Sequence, residues 1–155
     1  MLHLFLLPLL TPLAFSHPTP PTLLLPRAAE SACSLAVRTG FTWTATNFTS
    51  STPSPVAVAF TLTNSALDYT HACAGVASVA SPFDGTYWFE CAGDKGSASF
   101  SYDAGTGRVG VRQGWECDNG VKGRPYYIAE GVGMVAGGVA VADVVIGLET
   151  IRGIL

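Results

Sequence analysis

SASFSYDAGTGRVGVRQGWEC, Ser97 to Cys117, decides the fold. Its two arms flank Asp103-Ala104-Gly105-Thr106-Gly107, a glycine-rich five-residue connection of the kind that joins β-hairpins. Phe100 and Tyr102 share one face of the first arm. Val109, Val111, Trp115 and Cys117 share one parity on the second. A period of two residues marks a strand with one side buried.

The same alternation recurs upstream. In FTWTATNF, Phe41, Trp43 and Ala45 fall on one face and Thr42, Thr44 and Thr46 on the other. Pro53, Ser54 and Pro55 break the chain before VAVAFTLTN, where Val56, Val58, Phe60 and Leu62 alternate with small or hydroxylated residues. β-Branched and aromatic residues in this pattern favour a half-buried strand. Leu67 to Cys73 forms a further extended piece, and the aromatics of TYWFEC predict a strand ending at Cys91. Asn119-Gly120 marks a turn, after which Tyr126 to Glu130 supplies a sixth strand. Short strands separated by turn signals predict an all-β fold, a compact antiparallel barrel or sandwich.

Both ends read differently from this middle. Leu4 to Phe15 is almost wholly apolar, and Ala14-Phe15-Ser16 sets small residues where a signal peptidase reads. Residues 1–16 are thus predicted to be a secretion signal, about a dozen apolar residues against the roughly 20 that cross a bilayer. Residues 17–31, HPTPPTLLLPRAAES, form a proline-rich spacer, with Arg27 a weak processing signal. The β domain is placed at 32–130, and 131–155 is set apart as a Gly/Val-rich divergent tail. That tail reads as a final strand or two, or a poorly ordered end. Gly131, Gly133 and Ala136 match a dinucleotide fingerprint, but too little chain follows for the strand–helix–strand unit it requires. Gly133 and Gly137 make a GxxxG, but Asp143 interrupts the apolar run.

Composition narrows the function classes. Charged residues are 12% of the chain and the net charge is −3, with no cluster of Lys and Arg to hold nucleic acid. Asn47-Phe48-Thr49 is an N-glycosylation sequon. Beyond the spacer the sole histidine is His71, whose parity with Leu67, Tyr69 and Cys73 predicts a buried, hydrogen-bonded side chain. No nucleophile elbow accompanies it. Asp84, Glu90, Asp94 and Asp103 are candidate carboxylates for glycoside cleavage, but they lie in or beside turns and nothing selects a pair. Trp43, Tyr87, Trp88 and Trp115 are candidates for a ligand or partner surface, with Phe89 beside them, although most such aromatics serve as core. The sequence points to no catalytic set, no metal site and no cofactor.

The four cysteines permit three connectivities. Cys73 and Cys91 end and begin neighbouring extended segments, and closing their loop of about 17 residues contributes roughly 3 kcal/mol under the chain-entropy model. Cys33 and Cys117 either pair with each other, or Cys33 bridges to a second chain and leaves Cys117 free.

One ordered set of features resembles a known family. Cys33 precedes a strand bearing Trp43 and Phe48; FTLTN, Cys73, Trp88-Phe89-Glu90-Cys91, FSYD and Val109-Gly110-Val111-Arg112-Gln113 follow in order. Over about Cys33 to Cys117 the chain resembles the Alternaria major-allergen-like domain, found in small secreted fungal proteins. The resemblance implies a β-barrel, a Cys73–Cys91 disulfide, fungal secretion and, for Cys33, a link in a covalent homodimer. It also implies an effector or elicitor that engages extracellular plant defence proteins without catalysis. The chain lacks the further cysteines that such proteins carry after the position of Cys117, so on this reading Cys117 loses a partner and the barrel is left incomplete. The expected function is a secreted interaction protein binding a host extracellular protein. The alternatives are a carrier of small phenolic or apolar ligands and a cell-wall carbohydrate hydrolase.

Overall fold

A computed structural model describes residues 33, 37, 40–50, 57–117, 126–135 and 141–154. The expected leader, the spacer with Arg27, the break at Pro53 and Pro55, and the Asn119-Gly120 turn lie outside these residues. Eight strands follow one another: β1 (Thr42–Ser50), β2 (Ala57–Asn64), β3 (Thr70–Val76), β4 (Phe89–Gly93), β5 (Ser97–Asp103), β6 (Arg108–Glu116), β7 (Tyr126–Met134) and β8 (Val141–Ile154). Each pairs antiparallel with the next, and β8 returns to β1, so the sheet closes into an up-and-down barrel with no open edge.

The expected all-β barrel is therefore present, and the boundary at residue 130 is corrected. β7 continues through Gly131 to Met134, and β8 supplies the closing strand. All four cysteines pair within the chain. Cys73 pairs with Cys91, directly opposite it across β3 and β4, as expected. Cys33 pairs with Cys117 in the same chain, so Cys117 has its partner and no free thiol is left for a bridge to a second chain.

Alternation explains the wall. Inward positions carry Trp43, Ala45, Phe48, Val58, Phe60, Leu62, Phe100, Val109, Val111, Trp115, Val144 and Ile146, all buried. Outward positions of β1 and β2 carry threonines and alanines. Such polarity, apolar within and polar without, is the reverse of a membrane barrel. Eight strands enclose a width that side chains can fill, and here aromatic rings fill it. Phe48, Phe60, Phe100, Phe83, Phe89 and Tyr102 pack at one end, with centroid separations of 5.0 Å for Phe60–Phe100 and 5.2 Å for Phe89–Phe100. Phe41, Trp43, Trp115 and Tyr127 pack at the other.

Between these layers lies a polar belt. Gln113 Oε1 accepts from Trp43 Nε1 at 2.7 Å and from Asn64 Nδ2 at 2.8 Å. Asn64 Oδ1 in turn accepts the Ala66 and Leu67 amides. Gln113 Nε2 lies 3.3 Å from His71 Nε2.

Asn47 breaks the parity of β1. Its φ of +54° makes it the one non-glycine residue in the left-handed region among the described residues. The register against both β2 and β8 shifts there, so that Phe48, three residues after Ala45, also points inward. This is the signature of a β-bulge, a device that lets a strand bend into a closing barrel. Asp143 Oδ1 on β8 accepts the Asn47 amide at 3.2 Å.

Candidate functional site: the outer wall around Trp88

Of the four aromatics put forward as a surface, two are core. Trp43 and Trp115 are fully buried, and Trp43 spends its only donor on Gln113. Tyr87 and Trp88 remain outside. Phe89 points inward at the start of β4, so Trp88, one residue earlier, points out. Its indole leans across the outer side of β5 towards β6.

Small residues make room for it. The outward positions of β5 are Ser97, Ser99 and Ser101, and Gly110 and Gly114 flank Arg112 on β6. A Cβ on Gly110 would come within 2.6 Å of Ser101 Oγ and 3.4 Å of Trp88 Cη2, so only glycine leaves this floor open. The Arg112 guanidinium stacks 4.4 Å from the indole centroid, and its Nε donates to Glu130 Oε1 at 2.9 Å. Both partners of that ion pair are well exposed, so it orients Arg112 more than it stabilises the barrel.

Trp88 is the wall common to two clefts. The larger, about 240 Å³, is lined by Asp84, Thr86, Ser101, Asp103, Arg108, Gly110, Glu130 and Glu149. The smaller, about 170 Å³, is lined by Glu90, Ser97, Ser99, Arg112, Gly114 and Tyr126. At its far end Ser97 Oγ lies 3.1 Å from the Tyr126 hydroxyl. Glu149 reaches the larger cleft because the β7–β8 register shifts between Glu130 and Gly131, leaving Glu149 unopposed.

The four carboxylates considered for glycoside cleavage are partly brought together. Asp84 and Asp103 face each other across an isolated bridge, Glu90 lies on the far side of Trp88, and Asp94 sits elsewhere beside Tyr69 and Lys95. Each of the facing pair is a turn cap. The Thr86 hydroxyl donates to Asp84 Oδ1 at 2.6 Å, and the Thr106 hydroxyl to Asp103 Oδ2 at 2.7 Å. These hydroxyl bonds, followed by those from nearby amides, hold both carboxyls below their ordinary pKa. Glycosidase chemistry needs one carboxyl that retains its proton near neutrality. This pair is tuned the opposite way.

His71 is almost fully buried, and burial holds its pKa below 6.5. Its Nδ1, like Trp115 Nε1, has no hydrogen-bond partner among the described residues. The described residues contain no group of three or more His, Cys, Asp or Glu arranged to hold a metal. Asn47 is exposed at its bulge, with the sequon's Thr49 exposed two residues on.

The sequence reading missed Ser99, Ser101, Arg108, Gly110, Arg112, Glu130 and Glu149. The signal was present in part: outward serines of one hairpin arm stand opposite outward glycines of the other, just after a tryptophan of outward parity. Compared with known proteins, the chain matches no family model, no curated protein and no solved structure.

Proposed function

We propose that this chain is a secreted recognition protein of fungal type that binds a host extracellular protein through the outer wall around Trp88, without catalysis. The observation that carries the reading is the half-buried Trp88 clamped against Arg112, with Tyr87 43% exposed beside it, on a barrel whose interior is filled. Tryptophan, tyrosine and arginine dominate binding hot spots, because they offer large rigid area with a polar handle. The apolar leader, the disulfide framework and the ordered resemblance to the Alternaria major-allergen-like domain support export and an effector role.

The alternatives find less support. A carrier needs an empty interior, and Phe48, Phe60, Phe100, Trp43 and Trp115 occupy it. A hydrolase needs a proton donor, and Asp84 and Asp103 are tuned to stay ionised.

The test is capture from plant extracellular fluid on immobilised protein, identification by mass spectrometry, and titration with the purified candidate. Trp88→Ala is expected to weaken binding by at least tenfold, in the range of hot-spot truncations. If the wild type and Trp88→Ala retain the same proteins equally, the reading fails.

A further inference from the structure

We propose that the trough over β5 and β6 binds a neutral saccharide, with Trp88 as the wall between two sugar subsites and Ser101 and Ser99 as the hydroxyl contacts on their floor. This rests on the reading of the Trp88 wall as the recognition face and names the chemistry read there, a glycan presented by the partner.

The two serines point to a ligand. Ser101 is 6% exposed and Ser99 7%, and neither hydroxyl has a hydrogen-bond partner among the described residues. Ser101 lines the larger cleft and Ser99 the smaller. Each side chain is largely covered while its hydroxyl opens into a cleft, where water or a ligand hydroxyl can take the place of the missing protein partner. A serine hydroxyl both donates and accepts, as a sugar hydroxyl does.

The remaining walls select among occupants. Asp84, Asp103, Glu130 and Glu149 offer acceptors around the larger cleft, and carboxylates bond neighbouring hydroxyl donors in strong charge-assisted pairs. Arg108 stands opposite Asp103, whose carboxyl its charge helps keep ionised, and can donate to a ring or hydroxyl oxygen. Glu130 is paired with Arg112, and the other three carboxylates still outnumber the Arg108 guanidinium, so a phosphate or uronate would be repelled. The indole supplies an apolar face for the C–H side of a pyranose. Each cleft lies below the roughly 300 Å³ at which pockets for drug-sized ligands begin, room for a single ring and not for a fused polycycle. β5 runs seven residues beneath both clefts, about 20 Å, enough for a short oligosaccharide laid along the trough.

The experiment is calorimetric titration of the secreted protein with neutral hexasaccharides of glucose, xylose, mannose and N-acetylglucosamine, with an oligogalacturonate as the anionic comparison. At least one neutral hexasaccharide should bind and the oligogalacturonate should not. Ser101→Ala should weaken binding about fivefold, the worth of one neutral hydrogen bond. Trp88→Leu should abolish binding while near-ultraviolet dichroism from Trp43 and Trp115 stays unchanged. Should Trp88→Leu fold poorly, Ser101→Ala alone carries the decision. The proposal is overturned if no neutral hexasaccharide binds at about 10 mM, a threshold weaker than any useful recognition. Binding indifferent to Ser101→Ala, or preference for the oligogalacturonate, overturns it equally. If an enzymatically deglycosylated partner still binds in a Trp88-dependent way, the saccharide inference falls and the protein-binding reading stands. If sugars bind but no protein partner is found, the reverse holds.

Discussion

Gln113 accepts two hydrogen bonds on one oxygen, which leaves its amide a single allowed orientation. Trp43 Nε1 can only donate, and Asn64 turns its NH2 towards Gln113 because its own oxygen is taken by the Ala66 and Leu67 amides. Gln113 Nε2 must then donate to His71 Nε2, placing the imidazole proton on Nδ1. Replacing Gln113 with Leu would strand the Trp43 and Asn64 donors in the core. At about 1–3 kcal/mol for each of the two orphaned donors, urea unfolding should report a loss of about 2–6 kcal/mol. His71 adds a pH dependence. Its folded pKa lies below 6.5, because burial disfavours the imidazolium, and a proton on Nε2 would face the Gln113 donor. As pH falls below 6.5 the unfolded chain takes up a proton that the native state refuses, so stability declines until the folded pKa is reached and then levels. Asp84 and Asp103 act lower, since the stability they lend is present above their ordinary 3.8 and is lost as pH falls through their depressed values. Urea midpoints measured from pH 7.5 down to about pH 5 should therefore fall in the wild type and stay nearly flat in His71→Gln. Equal slopes would place the responsible proton elsewhere.

β8 is the element on which closure depends, and it was the least legible. Its inward Val144 and Ile146 are separated by an outward Val145 that is 66% exposed, so the contrast between faces is lost to a reader of the sequence. β7 hides for a related reason. After Ala129 its inward positions are Gly131 and Gly133, and a Cβ on Gly131 would meet Trp43 Cζ3 at 2.5 Å. Gly131 makes room for the indole and Gly133 for the Val144 and Ile146 side chains, so together they erase the apolar alternation, and they mimic a nucleotide fingerprint. The central hairpin, by contrast, was legible because Phe100, Tyr102, Val109, Val111 and Trp115 fill every second position but Gln113. Ending the chain after Val135 would expose the β1 and β7 edges along their whole length. The truncated protein is expected to aggregate, or to lose its cooperative unfolding transition by circular dichroism; a soluble, cooperatively folded product would show that β8 is dispensable. The bulge in β1 carries a second expectation. Asn47 stands exposed at the bulge, so the protein expressed through a eukaryotic secretory pathway should carry a glycan there. Thr49→Val should remove that mass while keeping a β-favouring residue, and identical intact masses would show Asn47 unmodified.

At the scale of the molecule, the barrel and its bridges were anticipated unequally. The Cys73–Cys91 pair was readable because both residues adjoin one short loop and oppose each other in register. Cys33–Cys117 was readable only as one of two alternatives, because it joins residues 84 apart and its geometry depends on how the barrel closes. The trough was half-legible: Trp88 stood out, but the serines beneath it resemble ordinary outward residues until the indole is seen to cover them. The two bridges are nested, the Cys33–Cys117 loop enclosing Cys73 and Cys91. Under the chain-entropy model a loop spanning 18 residues is worth about 3 kcal/mol and one spanning 84 about 4–5 kcal/mol. The inner bridge shortens the path that the outer one closes, which trims the second figure slightly, since the dependence on length is logarithmic. Replacing Cys33 and Cys117 together with Ala should then lower the urea unfolding free energy more than replacing Cys73 and Cys91 together. Cys73 and Cys117 are both buried in the core, so their lost packing is comparable and the loop lengths decide the order. Intact mass should show a monomer that gains four hydrogens on reduction. A reductant-sensitive dimer would instead mean that Cys33 reaches across chains, leaving the Cys117 end of the barrel unfastened.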